Sequence, residues 1–226
     1  LVSRGLGDVY KRQVMNDTAW TFAALFVVVA CANWWSRIGD GRRSVELWSK
    51  PLALIALIAV AVTLDPVDQL VRAWFVLALC CSLAGDVFLL FGDRYFVPGL
   101  VSFLLAHLAY TFGLVAMGGW SSAALLVGAA FMAALAATVG VRIVLAARRR
   151  ARVLGPAVTA YLVAISVMFC AAMATGNTWA ILGAALFVAS DSVLGWRQFV
   201  SQASWMPVTI MVTYHLGQAG LVASLI

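Results

Sequence analysis

Apolar runs of about 18 to 22 residues recur along almost the whole chain, each long enough for a helix to cross the roughly 30 Å hydrocarbon layer of a bilayer. Hydrocarbon offers no partner to backbone polar groups, so a segment of this kind must satisfy its own hydrogen bonds as a helix. The composition agrees. Hydrophobic residues make up 64% of the chain and charged residues 11%, where soluble domains carry roughly half and a quarter. The expected fold class is all-α, a polytopic membrane bundle of eight transmembrane helices. The spans are expected near 18–35, 48–64, 71–91, 96–117, 121–141, 153–175, 178–195 and 206–226. Turn and breaker pairs punctuate them: Asp65-Pro66, Gly92-Asp93, Gly118-Gly119, Gly155-Pro156 and Gly176-Asn177. Residues 1–13, LVSRGLGDVYKRQ, are polar and unlike the apolar remainder of the chain. They are expected to be a non-native or disordered leader, with the protein proper starting near Met15 and residues 14–226 forming a single eight-helix membrane domain.

The net charge of +6 does not point to nucleic acid, because the basic residues sit in short loops between apolar spans. Eleven Lys and Arg follow odd-numbered spans: Arg37, Arg42, Arg43 and Lys50, then Arg94, Arg142, Arg148 to Arg150, Arg152 and Arg197. By the positive-inside rule these loops are cytoplasmic, which puts both termini outside, most simply in a bacterial inner membrane. Trp34, Trp35, Trp48, Trp120, Trp196 and Trp205 suit interfacial aromatic belts. The four cysteines lie in apolar spans without CxxC spacing, and no HExxH or similar pattern exists, so neither a disulfide framework nor a metal centre is indicated. No cofactor is implied. Small-residue faces are compatible with a homo-oligomer but serve intramolecular packing equally well.

Of nine acidic residues, only Asp86 and Asp191 fall inside spans. An intramembrane carboxylate is costly unless paired, neutralised or hydrated, so it marks function more often than structural glue. Gly85-Asp86 in the third span and Ser190-Asp191 in the seventh have similar settings, as a four-plus-four repeat would give. Asp86 lies about six residues, or roughly 9 Å, before Gly92, and Asp191 about five, or roughly 7 Å, before Trp196. Two carboxylates at one depth can face one cavity and divide into a protonated acid and a carboxylate, a division suited to acid–base chemistry. Helical spacing lets other polar groups share a face: Ser82 with Asp86, His107 with Tyr110, Tyr214 with Gln218. His215 points about 100° away from Tyr214. Lys50 is either a snorkelling anchor or a cation for a phosphate head group. His107 reads equally as a buried structural histidine, and Tyr161 and Tyr214 as packed aromatics with satisfied hydroxyls.

Several stretches, in order, resemble the YhhN or lysoplasmalogenase family of integral membrane proteins. They are Lys50-Pro51-Leu52, SLAGDVFLLF at 82–91, GLVSFLLAHLAY at 99–110, GAALFVASDSVLGWRQF at 183–199 and YHLGQAGL at 214–221. They cover most of the chain after residue 45; His215 stands where a second aromatic is expected. The resemblance implies an eight-helix hydrolase that cleaves the vinyl ether bond of lysoplasmalogen, releasing a fatty aldehyde and a glycerophospho-ethanolamine or glycerophospho-choline. Its partners would be a lysophospholipid substrate and membrane lipids. Protonation of a vinyl ether gives an oxocarbenium ion like that of glycoside hydrolysis, which two carboxylates manage without a metal or a nucleophilic serine. Asp86 and Asp191 are the expected catalytic pair. Lys50 is expected to hold the phosphate, Ser82 to join the Asp86 face, and His107, Tyr110, Tyr161, Tyr214 and Gln218 to line the pocket. A small proton- or cation-coupled transporter using the same aspartates is the competing reading, and a lipid-binding scaffold with buried polar glue is a third.

Overall fold

The computed structural model describes residues 15–39, 42–64 and 68–226; the leader and the Asp65-Pro66 turn lie outside the described residues. Eight helices make up the described chain: α1 (Asp17–Ser36), α2 (Arg43–Thr63), α3 (Gln69–Leu90), α4 (Phe96–Met117), α5 (Ser122–Arg150), α6 (Leu154–Thr175), α7 (Thr178–Phe199) and α8 (Met206–Ala223). Helices α1 to α7 are each long and apolar enough to cross a membrane. The eighth, α8, is 18 residues long and owes its lower hydropathy to Tyr214, His215 and Gln218, all buried. The chain is an integral membrane protein, all-helical throughout the described residues.

The ends of the helices follow local chemistry. The side chains of Asn16, Asp68, Ser121 and Asn177 accept hydrogen bonds from first-turn amides of α1, α3, α5 and α7, groups that have no partner within the helix. Gly176 closes α6 in the left-handed region at φ 67°, which a residue without Cβ adopts freely. Two boundaries differ from the sequence reading. Pro51 does not open α2 but lies inside it, because the polar segment from Arg43 forms a helical entry ahead of the apolar run. Helix α5 continues past residue 141 to Arg150, passing a π-helical segment at Ala136–Gly140. Ile143 and Ala147 on that extension are buried with Val158 of α6, which gives an otherwise polar segment an apolar face to bury.

The bundle is apolar outside, and a few polar groups are set within its apolar core. Val28, Leu77, Val101, Leu126 and Val163 are exposed on its outer surface, as lipid-facing residues are. Lys50, Ser82, Asp86, His107 and Gln218 are buried. The antiparallel pairs α1–α2, α3–α4 and α7–α8 make the most extensive contacts, and α4 against α6 joins the halves. The α7–α8 crossing depends on glycine. A Cβ at Gly183 would lie 2.6 Å from the Leu221 amide nitrogen and 2.8 Å from the Gly217 carbonyl oxygen, so only backbones bare of side chains approach this closely. That contact brings Tyr214 of α8 alongside the part of α7 that carries Asp191.

Candidate active site

Asp86 and Asp191 line one chamber of about 200 Å³. Its walls are the ends of α2, α3, α7 and α8 on the side of the arginine-bearing loops, together with Phe96 and Phe103 of α4. Asp86, on α3, is held from two neighbouring helices. Lys50 Nζ of α2 lies 3.0 Å from its Oδ1, and the Tyr214 hydroxyl of α8 donates to Oδ2 at 2.9 Å. The side chain is only 2% exposed. A lysine ammonium and a phenol in these positions make a buried carboxylate tolerable, since a lone ion would cost far more than the pair.

Asp191, on α7, has a parallel setting built from different chemistry. The Tyr161 hydroxyl of α6 donates to its Oδ2 at 2.5 Å, and His107 Nε2 of α4 stands 3.6 Å from the same oxygen. Neither nitrogen of His107 completes a hydrogen bond of normal geometry, and the ring is wedged edge-on between Tyr161 and Phe187. Asp191 thus has a phenol but no lysine or arginine partner at ion-pair distance among the described residues. It is also the more open acid, with its side chain 11% exposed.

Beyond Asp191 the chamber runs into a narrower groove of about 50 Å³ between α4, α5, α6 and α7. Leu100, Ile143, Val158, Leu162 and Phe199 line the groove, and its surface is almost wholly apolar. Asp191 lies on the wall of both spaces; Asp86 faces only the chamber. A polar chamber thus adjoins an apolar groove, with Asp191 at the junction.

Lys50, Asp86, Asp191 and Tyr214 therefore meet in the chamber, Tyr161 borders the groove, and His107 stands behind Asp191. The other three residues singled out in the sequence lie off the chamber wall. Ser82 is buried a turn before Asp86, with no partner for its Oγ. The Tyr110 hydroxyl donates to Gln218 Oε1 at 2.5 Å, tying α4 to α8. His215 accepts from Trp34 Nε1 at 2.9 Å, so Trp34, which the sequence suggested for an interfacial belt, is bonded into the α1–α8 seam. Sequence reasoning did not assign Arg37, Glu46 and Arg197 to the chamber, though all three line it. Their positions at helix ends make arginines look like orientation signals, and only the fold shows that they converge.

The sequence model of the YhhN family matches residues 45–225. The chain belongs to the YhhN family. Among curated relatives of this YhhN protein, it is 31% identical over 166 residues to proteins named lysoplasmalogenase from Mycobacterium bovis and Mycobacterium tuberculosis, covering 72% of this chain and 63% of each relative. It is 34% identical over 141 residues to the human protein named lysoplasmalogenase TMEM86B, covering 62% of this chain and 58% of the relative. The YhhN chain thus spans less than two thirds of the length of these relatives. No solved structure matches it.

Proposed function

We propose that this YhhN protein is a membrane-embedded lysoplasmalogenase-like hydrolase that cleaves the vinyl ether bond of a lysophospholipid. The observation that carries the reading is the position of Asp191 at the junction of a polar chamber and an apolar groove, with Asp86 across the same chamber. In a lysoplasmalogen the vinyl ether lies between the glycerol and the single hydrocarbon tail, so a head in the chamber and a tail in the groove bring that bond to Asp191. The relatives named lysoplasmalogenase support the choice of substrate. The mouth opens among the basic loops, which the positive-inside rule places in the cytoplasm.

The roles follow from the partners. Asp86, neutralised by Lys50, is the carboxylate; Asp191, without a cation, is the acid. Asp191 gives its proton to the alkene carbon on the tail side, forming a C–H bond as the π electrons move to leave an oxocarbenium ion at the carbon bonded to oxygen. The Asp86 carboxylate stabilises that cation and orients a water, whose oxygen attacks the same carbon. The proton that the water sheds restores Asp191. The resulting hemiacetal collapses as its C–O bond to glycerol breaks and its hydroxyl proton passes to the departing oxygen, giving a fatty aldehyde and a glycerophospho-ethanolamine or glycerophospho-choline. Lys50 serves the carboxylate, while Tyr161 and Tyr214 hold the two aspartates in place and His107 backs Asp191. Ser82, Tyr110 and Gln218 support the helices that carry the site.

The test is fatty aldehyde release from a lysoplasmalogen by the detergent-purified protein, beside Asp86→Asn and Asp191→Asn variants with matched melting behaviour. Aldehyde from the unaltered protein and none from the variants is the expected result. A folded protein that releases none would contradict the activity, and full turnover by either variant would contradict the pair.

A further inference from the structure

The outer half of the chamber carries an excess of positive charge that the vinyl ether chemistry does not use. Glu46 is the carboxylate there, and two guanidiniums share it: Arg37 Nη1 lies 2.6 Å from Oε1 and Arg43 Nη1 lies 3.0 Å from Oε2. Arg197 reaches the same wall from the last turn of α7 and makes no hydrogen bond or ion pair among the described residues. Arg37, although bound to Glu46, keeps a buried Nε with no hydrogen-bond partner. Lys50, the other cation of the chamber, is taken up by Asp86. Among the described residues lining this part of the chamber, Arg37 and Arg197 against Glu46 leave one positive charge; Arg43 shares Glu46 from outside the lining, with its side chain 54% exposed. A buried guanidinium nitrogen without an acceptor is costly, and the two guanidiniums that line the chamber have one described carboxylate, Glu46, to share, so a second anion would be attracted there.

We propose that Arg37 and Arg197 form the seat for the phosphodiester of the lysolipid head group, with Glu46 fixing Arg37 in position. This rests on the hydrolase reading above and deepens it. A phosphodiester brings one negative charge and oxygens that accept from the planar guanidinium fork. The two arginines stand at the mouth and Asp191 at the inner junction, so a phosphate in this seat directs the glycerol inward and the vinyl ether toward the acid. Selection for a phosphorylated head then resides in arginines supplied by the ends of α1 and α7, and the phosphate is held apart from the Lys50–Asp86 pair.

The experiment compares a lysoplasmalogen with the 1-alkenylglycerol of the same tail, which keeps the vinyl ether and lacks the phosphate. The unaltered protein is expected to favour the phospholipid in kcat/KM, and Arg197→Gln to lower that preference roughly 10- to 100-fold, chiefly through KM, as loss of a charge-assisted hydrogen bond does. Arg197→Lys, which keeps the charge and loses the fork, should lower it less and guards against a variant that fails to fold. A second arm measures binding of the saturated 1-alkyl lysophospholipid and of 1-alkylglycerol, neither of which has a vinyl ether, so the seat is judged even if no aldehyde is ever released. Preference for the phosphorylated lipid that falls in Arg197→Gln and Arg37→Gln supports the seat. Equal binding of the two lipids by the unaltered protein, or an unchanged preference in folded Arg197→Gln, overturns it. Displacement of the lysophospholipid by inorganic phosphate alone would overturn the assignment to a lipid head group.

Discussion

Asp86 and Asp191 occupy matching places in the two halves of the bundle, yet their surroundings differ in the one respect that matters for proton chemistry. Asp86 on α3 is held from α2 and α8, and Asp191 on α7 from α6 and α4. Pairing α2 with α6, α3 with α7 and α4 with α8 would relate one set of contacts to the other. The second helix supplies Lys50 in the first half and Tyr161 in the second. The last helix of each half supplies Tyr214 to Asp86 and His107 to Asp191. A lysine in one setting and a phenol in the other make the two aspartates unlike: one lies in a buried ion pair, the other accepts from a phenol beside an apolar groove.

The largest effects should come from removing either carboxylate. Asp191→Asn deletes the proton donor and Asp86→Asn the group that faces the cation, and each should cut kcat by about 10²- to 10⁴-fold in an aldehyde-release assay. Thermal and denaturant unfolding should then separate the two. Lys50→Met strands the Asp86 carboxylate and should cost about 3–5 kcal/mol of stability, whereas the double variant Lys50→Met/Asp86→Leu should recover most of that loss while remaining inactive. Failure of the double variant to recover would mean that the pair does not act as a unit.

Hydroxyl deletions come next. With Asp86 charged and Asp191 neutral, as proposed, Tyr214→Phe should destabilise by about 1.5–3 kcal/mol and Tyr161→Phe by about 0.5–1.5 kcal/mol. Equal costs would indicate that both aspartates carry the same charge. The smallest difference is expected between His107→Phe and His107→Gln. The ring makes no close side-chain hydrogen bond, so the larger phenyl should cost about 1–3 kcal/mol through packing alone, and His107→Gln should restore no more stability than His107→Phe; a clear rescue by the polar Gln would show that His107 has a polar partner to lose.

The eight helices and the two aspartates were legible in the sequence because both signals are one-dimensional. A span is a run of apolar residues, and an intramembrane carboxylate stands out against it. Partner choice was not legible, since it depends on which helices adjoin. Lys50 next to Pro51 has the sequence signature of an interfacial anchor, and only the α2–α3 contact turns its ammonium onto Asp86. Arg197 follows Trp196 just as an anchoring arginine would, and its approach to Arg37, distant in sequence, is a product of packing. The extension of α5 escaped notice for the opposite reason: Arg142 and the Arg148–Arg150 run broke the apolar pattern while the helix continued.

The most direct test of the central claim is the infrared spectrum of the purified protein in H₂O and D₂O, read for the C=O stretch of a protonated carboxyl group near neutral pH. An acid band that shifts in D₂O, disappears in Asp191→Asn and persists in Asp86→Asn is the predicted result. A band that instead disappears in Asp86→Asn, or no acid band that depends on Asp191, would contradict the assignment of Asp191 as the proton donor.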